Sequence, residues 1–247
     1  MKIHIVSPPY HSASGGIRVL HYLGYLAKTL GHRVDMRTVT FNPEWGDYHE
    51  EVFNPDIYVH PEINPATNKE DGNVVRWCLY YPGRIAGPTV FPEHELVYSF
   101  IDEYLEESQK SSPYRPVKSF YLPTCDMPGI DDPIERTSLT CFWEGKGDRS
   151  GTPPETQANE ITRGWPAPRN ELIKLFKQCK TLYTCDPCTA INYEAMWCGC
   201  EVLLWDGSRY IPFTNYKSDY VPRNFTEDLK SVDAFLKEIA HHFGIKQ

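Results

Sequence analysis

The residues with the clearest chemical capacity lie in one run, Cys185-Asp-Pro-Cys-Thr-Ala-Ile-Asn-Tyr-Glu194-Ala-Met-Trp-Cys-Gly-Cys-Glu-Val-Leu-Leu-Trp205. The pattern predicts a strand over 181–185, a turn, a short helix opening at Thr189 and Ala190, a break at Gly199 and a buried strand over 201–205. A helix N-terminus offers unpaired backbone N–H groups and a partial positive charge, which suits a phosphate. Glu194, five residues beyond Thr189, supplies a carboxylate that suits a pair of sugar hydroxyls. A nucleotide diphosphate could be held at both ends by such a segment.

Two further stretches carry groups of the same kind. Trp143-Glu-Gly-Lys146-Gly-Asp-Arg149 follows an apolar strand pattern, and its glycines would expose Lys146 and Arg149 at a strand end, where ligands collect in open α/β sheets. Cations there could meet the charge that grows on a leaving phosphate, with Arg163 as a reserve. Near the start, an apolar strand over 3–7 is followed by His11, then Gly15-Gly16, then an amphipathic helix over 17–30. A loop histidine titrates near neutrality and could act as a general base; His60 is a second such candidate.

The run Asp186-x7-Glu194-Ala-Met-x-Cys-Gly-x-x-Val resembles the donor segment of GT-B glycosyltransferases of the glycogen-synthase and sucrose-synthase-like group, whose pattern is Glu-x7-Glu. Asp186 stands where that pattern has its first Glu. The resemblance implies that Glu194 bonds the nucleotide ribose and that Asp186 approaches the transferred sugar. It also implies that Gly15-Gly16 form the glycine-rich loop near the donor phosphates and the acceptor. The expected fold is α/β, of GT-B type, with two Rossmann-like domains facing across a cleft. The expected reaction moves a sugar from a nucleotide-sugar donor to an acceptor hydroxyl, without metal and with retention at the anomeric carbon. The resembled family places an Arg and then a Lys in its second domain, so the order Lys146 then Arg149 departs from it. The acceptor stays open among a glycan, a lipid-linked sugar and a modified DNA base, and no cofactor is expected beyond the donor itself.

The elements that must position these groups are legible in outline. Strands are predicted over 33–40, 56–59, 74–81 and 137–143, a short strand or a helix start over 94–100, and helices over 102–108, 168–180 and 226–243. Strands separated by helix-length segments suggest parallel βαβ units. The proline-rich stretch 109–133 is the expected interdomain passage. The expected domains are an acceptor-side domain over 1–115, a nucleotide-sugar domain over 116–225, and a C-terminal helix over 226–247 that could cross back to the first domain.

Composition limits the alternatives. With 25 Lys and Arg against 33 Asp and Glu, the net charge of −8 weighs against broad nucleic-acid binding. A local patch of Arg76, Arg84, Lys110, Arg115 and Lys118 keeps open a DNA-base glycosyltransferase of the kind phages encode. A non-catalytic nucleotide- or sugar-binding protein is the other alternative. No Asp-x-Asp occurs, which disfavours a metal-dependent GT-A enzyme. The eight cysteines include Cys125 and the pairs Cys185-x2-Cys188 and Cys198-x-Cys200, which read as packing residues or as four zinc ligands. With no apolar run of membrane-spanning length and no leader pattern, a cytoplasmic protein is expected.

Overall fold

A computed structural model describes residues 1–38, 40–123, 127, 129–166, 168–214 and 224–246; Cys125 lies outside them. The chain forms two compact units. The first comprises Met1–His11, Gly16–Pro123 and Arg223–Gln247; the second comprises Ser12–Gly15 and Thr124–Pro222. The first unit therefore runs on to Pro123 rather than ending at Arg115, and it takes in the C-terminal helix.

The first unit is built on a six-stranded sheet in which every neighbouring pair is parallel. Its strands are β1 (Lys2–Ile5), β2 (Arg33–Asp35), β3 (Ile57–Pro61), β4 (Val74–Cys78), β5 (Leu96–Ser99) and β6 (Lys118–Ser119), in the order β2-β1-β3-β4-β5-β6. The order reverses between β1 and β3, which makes their carboxyl ends a topological switch point.

Helix α1 (Gly15–Thr29) buries Val19, Leu20, Leu23 and Leu26. It closes at Gly31, whose φ of +86° lets the His32 N–H return to the Ala27 carbonyl. Gly15 and Gly16 are thus the first residues of the helix rather than a loop before it. His21, fully buried in α1, accepts from the Tyr48 hydroxyl at Nδ1 and donates from Nε2 to the Pro8 carbonyl, which ties the segment after β1 to the helix. Burial holds its pKa below the ordinary histidine value, in keeping with a neutral ring. Helix α5 (Phe225–Phe243) opens with a capping box between Asn224 and Glu227. It lays Phe235 against Trp77, Tyr98 and Phe120, the last stacked at 3.8 Å.

Two expectations are corrected here. The second strand stops at Asp35 instead of running on towards residue 40. The Asp35 carboxylate accepts the Arg37 N–H at 2.9 Å, and Arg37 turns into the left-handed region at φ +44°, so the backbone leaves the sheet. Among the described residues, the connections from β2 to β3 and from β3 to β4 contain short 3-10 turns (Pro43–Trp45 and Lys69–Asp71) and no α-helix. Side chains two residues apart share a sheet face, so His4, Asp35, Tyr58, His60 and Arg76 form a polar row along the paired registers of β1 to β4.

Arg76 carries much of the organisation near this row. It is completely buried and uses all of its donor groups: Nε and Nη2 on the Glu95 carboxylate at 2.8 Å, and Nη1 and Nη2 on the carbonyls of Pro61, Asn64 and Pro65. Glu95 also accepts from the amide and hydroxyl of Thr67. One ion pair thereby holds the first part of the connection after β3, from Pro61 to Thr67.

The second unit holds a four-stranded sheet in the order β10-β9-β8-β7. Strands β7 (Thr140–Trp143), β8 (Thr181–Thr184) and β9 (Glu201–Trp205) are parallel, and β10 (Tyr210–Pro212) runs antiparallel to β9. Helix α2 (Leu105–Ser111) belongs to the first unit, whereas α3 (Arg169–Gln178) and α4 (Ala190–Trp197) connect the parallel strands of the second. Phe176, Leu182, Ile173, Ala195, Cys141 and Cys179 fill its core. The buried thiols act as small hydrophobes with a weak donor: Cys200 Sγ reaches the Phe176 carbonyl at 2.8 Å and Cys179 Sγ the Thr181 carbonyl at 3.1 Å. The architecture is mixed α/β with one parallel six-stranded sheet and a second, smaller sheet, and is compatible with Rossmann-like domains. Among the described residues, no helix is long and apolar enough to cross a membrane.

Candidate functional site

At the carboxyl ends of β7 and β8 two loops interlock. Asp186, almost fully buried, accepts the Lys146 amide on Oδ2 and the Cys188 amide on Oδ1, each at 3.0 Å. Its own carbonyl accepts from Asn192 Nδ2 at 2.7 Å. The Gly145-Lys146-Gly147 turn can sit this close only because it lacks side chains at its two glycines. A Cβ on Gly145 would lie 2.4 Å from Asp186 Oδ2, and one on Gly147 would lie 1.9 Å from the Cys185 carbonyl oxygen. Gly145 also has φ +63°, a conformation that favours glycine. Asp186 is therefore a clasp between the turn after β7 and the entry to α4.

The α4 entry presents the groups expected of it. Thr189 occupies the N-cap position in extended backbone conformation and makes no side-chain capping bond, and Ala190 is the first helical residue. Lys146 reaches across so that its Nζ donates to the carbonyl of Cys188, immediately before the cap, at 3.0 Å. An ammonium group and the N-terminus of α4 are brought together at one strand edge. Two buried polar atoms flank the clasp without a hydrogen-bond partner, Trp143 Nε1 and Asn192 Oδ1.

Arg149 is placed differently. Its guanidinium lies between Glu144 and Glu160, with Nε 2.8 Å from Glu144 Oε2 and a further close contact from Nη2 to the same oxygen. It also rests over the Phe142 ring, 5.3 Å from the centroid. The Glu144 carboxylate first, and Glu160 after it, raise the arginine's pKa above its ordinary value. The charge of Arg149 is thus already matched by two carboxylates. Arg163 lies in an exposed turn closed by the Thr162–Trp165 bridge.

Glu194 is fully buried, and both its oxygens are engaged by Arg169: Nη1 to Oε2 at 2.8 Å and Nη2 to Oε1 at 2.7 Å. This fork-to-fork pair ties the first residue of α3 to the middle of α4. Arg169 was not visible as a partner in the sequence, because it lies 25 positions away and the only local signal, Pro168 before it, marks a helix start. Glu144 and Glu160 lie only five and eleven positions from Arg149, but their pairing with it depends on how the turn after β7 folds back; Glu160 meets β7 through a bridge at Phe142.

His11 is exposed in the segment after β1, and Gly15 and Gly16 open α1. His60 on β3 is half-buried; desolvation first, and the Arg76 charge next, push its pKa down to about 4. Four of the five cations considered for tracking DNA phosphates have partners within the chain. Arg76 is buried against Glu95, Lys110 pairs with Glu106 and Glu107, Lys118 pairs with Glu238, and Arg115 donates to the Glu93 carbonyl. Arg84 is exposed. Among the described residues, no group of three or more His, Cys, Asp or Glu side chains is arranged to hold a metal, and the four-cysteine zinc reading loses its geometric basis. Compared with known protein families and with curated proteins, the chain matches none.

Proposed function

We propose that the protein is a GT-B-type glycosyltransferase that moves a sugar from a nucleotide diphosphate sugar to an acceptor hydroxyl, with the donor held by the second unit. The observation that carries the reading is the clasp at Asp186, which joins the Lys146 turn to the N-terminus of α4 at the carboxyl ends of the parallel strands β7 and β8. The α4 N–H groups and the Lys146 ammonium supply fixed positive charge for a diphosphate. As the bond between the anomeric carbon and the phosphate oxygen breaks, negative charge grows on that oxygen and the same groups stabilise it. Retention, which the Asp-x7-Glu resemblance implies, would let the departing phosphate take the acceptor proton, so that His11 need not act as a base. In this reading Asp186 and Arg149 are positioning residues. Glu194 positions α4 through its two-point pairing with Arg169.

The test combines a thermal-shift panel of nucleotide diphosphate sugars with kinetics on two single variants. A bound donor raises the melting temperature by mass action. Lys146→Ala should lower kcat on the order of 10²–10³-fold, the scale for removing one preorganised charge partner, and raise the donor KM less. Arg149→Ala should leave kcat within a few-fold of the parent. A panel without any shift, or an unchanged kcat in Lys146→Ala, would overturn the assignment.

A further inference from the structure

The second unit holds a cluster of thiols that the clasp does not use. Cys141 on β7, Cys179 at the C-terminal end of α3 and Cys200 immediately before β9 are all buried in its core. Their sulfurs meet, for the Cys179 thiol is hydrogen-bonded to both the Cys141 thiol and the Cys200 thiol. The backbone fixes the same approach. Cys200 Sγ lies 2.8 Å from the Phe176 carbonyl oxygen and 3.3 Å from that of Cys179, and the Glu201 N–H donates to the Lys180 carbonyl at 3.0 Å where β8 and β9 begin to pair. Cys179 and Cys200 are thus held together at the start of two paired strands, although they stand 21 positions apart in the chain.

A cation completes the cluster. Arg136 donates to the carbonyls of Cys179 and Cys198 and hydrogen-bonds the Cys200 thiol. Gly199 leaves it room, since a Cβ there would stand 2.6 Å from Arg136 Nη2. Arg136 and Gly199 are both exposed, so the Cys200 sulfur lies one flexible side chain below the surface. Positive charge beside a sulfur supports a thiolate, the reactive form. The hydrogen bonds that Cys141 first and Cys200 second make to Cys179 lower the pKa of its thiol.

We propose that Cys179 and Cys200 are a redox-sensitive pair that forms an intramolecular disulfide on exposure to a peroxide. The Cys179 sulfur attacks one peroxide oxygen, the O–O bond breaks, water leaves with the thiol proton, and Cys179 becomes a sulfenic acid. The Cys200 sulfur then attacks the Cys179 sulfur, the S–O bond breaks, and a second water leaves with the Cys200 proton as the S–S bond forms. Together the two thiols lose two electrons and one peroxide is reduced to two waters; a dithiol reductant reverses the bond by exchange. The disulfide closes a covalent loop around β8, the Asp186 clasp, α4 and Glu194. It holds that segment against unfolding, because the cross-linked chain has less freedom to gain. This property does not depend on the transferase reading.

In the experiment the full chain is treated with hydrogen peroxide under native conditions, denatured, blocked with N-ethylmaleimide and mapped by mass spectrometry. A peptide joining Cys179 to Cys200 should accumulate. The melting temperature should rise by several degrees and return to its starting value with dithiothreitol. Cys200→Ala should abolish both the cross-link and the rise, whereas Cys141→Ala should keep both. A cross-link from Cys179 to Cys141, cross-linking that needs urea, or oxidation to sulfinic acid without a cross-link overturns the pair. If Cys200→Ala does not fold, the peptide map of the parent and its thermal response to dithiothreitol decide the question.

Discussion

Glu194→Ala is the substitution with the most directly derivable cost. It removes a carboxylate that is fully buried and doubly hydrogen-bonded to Arg169, whose own side chain is only 9% exposed. The guanidinium cannot lose its proton to escape, so a nearly desolvated charge loses the carboxylate that both of its Nη groups bind. Breaking such a pair from one side costs about 3–5 kcal/mol. The slight exposure of Arg169 admits some water, which places the expected loss at the low end, about 3 kcal/mol. For a chain of this size each kcal/mol moves the melting temperature by roughly 2–4 °C, so a drop on the order of 6–12 °C is expected. Urea unfolding of Glu194→Ala, Arg169→Ala and Arg169→Met/Glu194→Leu forms the assay. The double replacement by apolar residues should recover most of the loss, since it leaves no unpaired buried charge. A Glu194→Ala protein within about 0.5 kcal/mol of the parent, the range of an ordinary surface change, would refute the pair as a structural tie and return Glu194 to a direct ligand role.

Gly147→Ala would put a methyl group 1.9 Å from the Cys185 carbonyl. The turn must shift, at a cost of about 1–3 kcal/mol, and any thermal response to nucleotide sugars should disappear with it; a parental melting temperature and response would show that the clasp is loose. His60, with its pKa pushed down to about 4 against an ordinary 6.5, contributes stability that is present above the ordinary value and lost as pH falls through the lowered one. Stability should therefore decline from pH 6.5 towards 4, less steeply in His60→Gln. An imidazole titration by NMR with a midpoint at or above 6.5 would contradict the burial argument.

Local pattern and covalent spacing determined much of this protein. The apolar runs at 74–78 and 201–205, the amphipathic stretches of α1 and α5 and the strand–turn–helix–strand order around Asp186 and Glu194 are all short-range, and each appears as an element of the described structure. Local pattern misled where a side chain bent its own backbone. The Asp35–Arg37 contact ends β2 early, and two crossovers reach the next strand without a helix. What a charged residue faces was decided only by tertiary structure. Lys146 and Arg149 look equivalent in sequence, yet one reaches the α4 entry and the other is enclosed by Glu144 and Glu160. Glu194 reads as a free carboxylate until Arg169 comes to it from another helix, and Arg76 reads as a surface cation until Glu95 meets it within the first unit. The physical reason is that hydrophobic periodicity acts over a few residues, whereas the field at a charge is set by whichever groups the fold brings within a few ångströms.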